Sequence, residues 1–95
     1  MKWNTFVHGD CFDVMEDIED KSVDLIFTSP PDISQTDFDN DIAAYKSFHR
    51  KACRVFSRIT KEDGFIVIAQ TDRRINGEIL TNHITYYTSI IDYGW

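Results

Sequence analysis

Apolar residues along the chain switch repeatedly between a strand-like and a helix-like spacing. Thr5-Phe6-Val7-His8 is a short β-prone run stopped by Gly9-Asp10. Phe12, Val14, Met15 and Ile18 then recur at the three-to-four spacing of a helix over residues 11–18. Ser22-Val23-Asp24-Leu25-Ile26-Phe27 is a second strand, nearly continuous in apolar residues, as a buried parallel strand is. It must end at Pro30-Pro31, because neither proline can donate to a sheet ladder. Residues 32–41 are polar and read as a loop. A long amphipathic helix follows from about Asp41 to Ile59, with Ile42, Tyr45, Phe48, Ala52, Val55, Phe56 and Ile59 on one face and Asp39 or Asn40 as cap. Gly64 reads as the turn before a third strand, Phe65-Ile66-Val67-Ile68-Ala69. The stretch 70–77 reads as a loop and 78–93 as a last helix, whose inward stripe is Leu80, Ile84, Tyr87, Ile90 and Ile91, closed by Gly94.

Three mostly parallel strands alternating with three helices define an α/β architecture, and 95 residues hold one small domain. The hydrophobic share of 42% supports a core and argues against disorder. The net charge of −6 hides a split. Residues 1–41 carry 11 acids and two bases, whereas residues 42–95 carry five acids and eight bases. An acidic first half and a basic helix can therefore coexist in one chain, so the overall sign does not exclude nucleic acid. Cys11 and Cys53 lie far apart without C-x-x-C spacing, which suits reduced thiols. The sequence contains neither an 18-residue apolar span nor a signal peptide, so a cytoplasmic protein is expected.

Two loops follow the carboxyl ends of predicted strands, where open α/β sheets place their ligands. The first is Gly9-Asp10-Cys11. Glycine admits close backbone approach, and the Asp10 carboxylate can accept from an amine or hydroxyl; the alternative is a plain helix N-cap. The second is Thr28-Ser29-Pro30-Pro31-Asp32. Consecutive prolines fix an extended path and leave a rigid row of carbonyl acceptors. Together with the Ser29 hydroxyl they can hold an exocyclic amine, whose lone pair is delocalised and which reacts only when well positioned. The alternative here is a strand-terminating loop.

The order of these elements, with the run Val23-Asp24-Leu25-Ile26-Phe27-Thr28-Ser29-Pro30-Pro31, resembles the start of DNA N4-cytosine or N6-adenine methyltransferases of the permuted class. The resemblance spans most of the chain and implies a single partial, Rossmann-like methyltransferase domain over residues 1–95. It implies S-adenosylmethionine as cofactor, bound by Asp10, Cys11, Thr28 and Ser29. It also implies a catalytic loop of Ser29, Pro30, Pro31 and Asp32, and double-stranded DNA with a flipped base as substrate. Asp32 stands where the family has an aromatic residue that stacks on that base, leaving Phe38 or Tyr45 as the alternative ring. The family's glycine-rich cofactor loop has no counterpart in the chain. The two strands carrying that loop and the ribose acid are thus missing. The expected consequence is a rearranged three-strand sheet, a homo-oligomer or a second subunit, since exposed sheet edges invite pairing. A catalytically inactive remnant acting as an interaction subunit or decoy is the alternative function.

Arg73 and Arg74, on the presumed ligand side, are the candidate DNA contacts. Lys46, Arg50, Lys51, Arg54 and Arg58 read as the outer, basic side of the long helix, open either to phosphates or to solvent. The segment 37–41 lacks the glycine and glutamate of a calcium loop, and His8, His49 and His83 have no metal-ligand spacing. No metal is expected.

Overall fold

The computed structural model of the chain describes residues 4–31, 41–75 and 77–94. Helix α1 (Cys11–Glu16) leads to strand β1 (Val23–Thr28), the long helix α2 (Ile42–Ile59) and strand β2 (Thr60–Ile68). A short hairpin, β3 (Arg73–Ile75) and β4 (Glu78–Leu80), precedes helix α3 (Asn82–Asp92). The protein is a small α/β fold, with one two-stranded parallel sheet and one two-stranded antiparallel hairpin among the described residues.

That parallel sheet has two strands where three were expected. Thr5–His8 forms no strand; Phe6 and Val7 stand exposed, and Asn4 before them adopts a left-handed φ of 56°. β-propensity describes fit to a pleated, half-buried surface, so a short run without a ladder partner has nothing to stabilise it.

β1 and β2 pair in parallel, with Leu25 opposite Phe65, Ile26 opposite Ile66 and Phe27 opposite Val67. The ladder closes with the Ala69 amide donating to the Thr28 carbonyl at 2.8 Å. The register is irregular between Val23 and Leu25, where residues 61–64 are accommodated opposite Asp24. Gly64 therefore lies inside β2 and does not form the turn before it. A Cβ there would sit 2.8 Å from Thr60 Cγ2 and 2.9 Å from the Asp24 carbonyl, closer than real Cβ atoms approach.

α2 is the hub. Asp41 caps its start, its carboxylate accepting from the Ala44 amide at 3.1 Å; Asp39 and Asn40 lie outside the described residues. At the other end, carbonyls left over by the helix find donors far away in sequence. Lys21 Nζ donates to the Ser57 carbonyl, and the Lys21 and Ser22 amides donate to those of Arg58 and Ile59, each at 2.9 Å. These bonds satisfy the orphan acceptors and place a cation against the negative end of the helix dipole. Tyr45, Ala52, Phe56 and Ile59 are buried as the apolar spacing predicts. His49, Cys53 and Ser57 are buried beside them, widening the covered stripe.

The second surprise is α3. It begins after β4, four residues later than the sequence pattern suggests, and its buried residues are Asn82, Tyr86 and Ser89. Ile84, Tyr87 and Ile91 of the expected inward stripe are exposed instead, while Leu80 is buried from β4. Polar partners explain the rotation. Asn82 Nδ2 donates to the Thr71 carbonyl at 2.7 Å, and the Tyr86 hydroxyl hydrogen-bonds His49 Nδ1 in the α2–α3 interface. Satisfied buried polar groups fix one helix rotation where apolar contacts tolerate several. No described helix is long and apolar enough to cross a membrane.

Candidate functional site

The end of β1 opens onto a cavity of about 300 Å³. Its floor is β1, through Ile26 and Thr28, and its rim is Ser29, Pro30 and Pro31. α1 supplies Cys11, Phe12 and Met15 on one side; α2 supplies Phe48, Ala52 and Phe56 on the other. The Phe12 and Phe48 rings meet edge-to-face with centroids 5.3 Å apart, which braces the wall. A volume of about 300 Å³ is at the lower end of ligand clefts, and an apolar lining with a few polar atoms is what such clefts share.

α1 is held in position by Arg58. Its guanidinium donates to the Met15 and Ile18 carbonyls at 2.7 and 2.8 Å and pairs with Asp20 at 2.7 Å. Arg58 thus turns inward from the basic face to which its spacing assigned it, towards the carbonyls at the end of α1.

The cavity brings together most of the residues singled out by the sequence. Thr28, Ser29, Pro30, Pro31 and Cys11 all line it. Asp10 does not line it: its carboxylate caps α1, accepting from the Phe12 amide at 2.9 Å and the Asp13 amide at 3.4 Å. Asp32 and Phe38 lie outside the described residues. Tyr45 is fully buried and accepts a hydrogen bond from Gln70 Nε2 at 2.6 Å, so it is not a ring open to a ligand. The rings at the cavity are Phe12, Phe48 and Phe56, which sequence reasoning assigned only to the core. The signal for Phe12 was the α1 pattern falling directly after Gly9-Asp10; Phe48 and Phe56 on α2 carried none. Arg73 and Arg74 are exposed on β3, opposite Leu80 and Ile79, and neither lines the cavity.

A second polar group of residues is sealed off. Burial lowers the His49 pKa to about 4 and pushes the Cys53 thiol up to about 11 against a weaker pull from Arg50. The same burial raises Tyr86. These groups hold neutral forms between α2 and α3 and are structural. Among the described residues no three His, Cys, Asp or Glu side chains gather where a metal ion could bind.

No family model matches this chain. No solved structure matches it either.

Proposed function

We propose that the chain is the Pro-Pro-loop portion of a Rossmann-like DNA amino-methyltransferase, with the exocyclic amine of cytosine or adenine held at the mouth of the cavity. The observation carrying this reading is the apolar cavity of about 300 Å³ whose rim is Ser29-Pro30-Pro31 and whose walls are phenylalanine rings. A flipped base needs a dry slot with an aromatic face and a few fixed acceptors. The Ser29 hydroxyl and the carbonyls beside the prolines accept the hydrogens of the amine and orient its nitrogen. Phe12 and Phe48 exclude water and face the ring. When bound, S-adenosylmethionine supplies an electrophilic methyl group. Cys11, Thr28 and Ser29 border the same cavity and fit one end of that cofactor, whereas the Asp10 carboxylate is engaged with α1.

The test is an amide NMR titration with deoxycytidine, deoxyadenosine and S-adenosylmethionine at millimolar concentration, where even weak sites report. Shifts centred on Phe12, Ser29 and Phe48, abolished by Ala52→Leu, are expected. Unmoved resonances at all three positions would remove the reading.

A non-enzymatic interaction subunit is the second reading. Leu25, Phe27, Phe65 and Val67 leave one face of the sheet bare, and patches of this kind mark interfaces. Light scattering behind size exclusion separates the two readings. A monomer at every concentration, alone and with candidate partner subunits, removes the second.

A further inference from the structure

The outer side of α2 departs from an ordinary solvated helix. Its 18 residues include five cations and no carboxylate. Solvated helices commonly interleave Glu with Lys at four-residue spacing, and like charges at that spacing repel. Lys46, Arg50 and Arg54 form such a like-charge row, with Lys51 beside it. Among the described residues, Arg50 alone of these four has a carboxylate partner, Asp92 at 3.2 Å. The four cations and Tyr93 border an open trough of about 550 Å³. Among the described residues no acidic side chain lines it. Lys51 also borders the cavity side, its Nζ lying 4.4 Å from the centroid of the Phe12 ring. Trough and cavity are therefore neighbours across one side chain.

We infer that this trough carries the sugar-phosphate backbone of a nucleic-acid strand, laid along α2 so that a nucleotide can reach the cavity past Lys51. From Lys46 to Arg54 the helix advances about 12 Å, which corresponds to three or four steps of a DNA strand at about 3.4 Å each. Tyr93, stacked under Arg50 with 5.9 Å between Cζ and ring centroid, keeps that guanidinium on the trough. The inference rests on the nucleobase reading for the identity of the polyanion, and it assigns the phosphate contacts to α2.

The test is fluorescence anisotropy of a labelled duplex of about two helical turns with the full chain, between 50 and 200 mM salt. Three cations without a carboxylate partner among the described residues predict a log–log salt slope near −2.7, a fall of about 40-fold over that range. Lys46→Ala with Arg54→Ala is expected to flatten the slope by about 2. Both positions are exposed and alanine favours helix, so the variant keeps its fold. Arg54→Lys, which keeps the charge, is expected to keep the slope. An unchanged slope in the double alanine variant, or competition by polyglutamate equal to that by DNA at matched charge, overturns the assignment. Ala52→Leu separates the two proposals: it blocks the cavity and leaves the salt slope intact, so either can fail alone.

Discussion

The two faces of the β1–β2 sheet carry equally apolar side chains and have opposite surroundings. On one face Ile26, Thr28, Ile66 and Ile68 are half-buried beneath the helices. On the other, Leu25, Phe27, Phe65 and Val67 face solvent, with Phe27 71% exposed. Parallel strands are ordinarily apolar on both sides because helices cover both. The sequence of β1 and β2 is written for two covers, and the described chain provides one. Cohesion therefore belongs to a single layer, where α2 joins sheet, α1, hairpin and α3.

The largest expected effect comes from the covered side. Phe56→Ala removes a ring only 7% exposed and is expected to cost about 3–5 kcal/mol. A domain whose whole stability is about 5–15 kcal/mol is close to unfolding after such a loss, and urea denaturation reads it directly.

Acid acts on the same layer through His49. Its pKa falls from 6.5 to about 4 on burial, so the unfolded chain binds a proton over a range where the folded chain refuses it. The stabilisation held above pH 6.5 is lost as the pH falls towards 4. The loss is on the order of 1–3 kcal/mol. Thermal melts at pH 7 and 4.5 measure it, and His49→Asn is expected to shrink the difference.

Arg58→Met keeps the aliphatic packing and deletes the donors that hold α1. A loss of about 1–2 kcal/mol is expected, since the group is partly exposed and its ion pair with Asp20 is screened. Faster hydrogen exchange confined to the α1 amides is its signature.

The smallest effect belongs to the bare face. Phe27→Ser is expected to change the stability of the monomer by no more than about 0.5 kcal/mol. A cost above about 2 kcal/mol, growing with protein concentration, would mean that a second copy covers this face in solution and would cancel the contrast.

Sequence reasoning succeeded where a single regular period carried the answer. The α2 stripe from Tyr45 to Ile59 and the stop of β1 before Pro30 were both legible, because burial and missing donors act locally. It failed where the outcome depended on a distant partner. Thr5–His8 had strand composition and no ladder to join. Arg73–Ile75 and Glu78–Leu80, three residues each, were too short to show a period. α3 turned Asn82 and Tyr86 inward because Thr71 and His49 were waiting there, and Ser89 on the same side is buried with them. At the candidate site, the strand-end rule pointed to Thr28, Ser29, Pro30 and Pro31, which line the cavity beside the end of β1; Cys11 lines it too, but no described strand precedes it. The phenylalanine walls come from helices that only folding brings alongside, and the alternative cap reading of Asp10 proved to be its hydrogen-bonded role.

α2 hands over to β2 with no intervening loop: Ile59 ends the helix and Thr60 begins the strand. Such a joint has no slack, so the helix cannot tilt without dragging the rung between Val23 and Thr60. One jaw of the cavity is thereby welded to the sheet. Any widening to admit a guest falls to the six-residue α1, tied to α2 by the removable clasp of Arg58 and by the edge-to-face Phe12 ring.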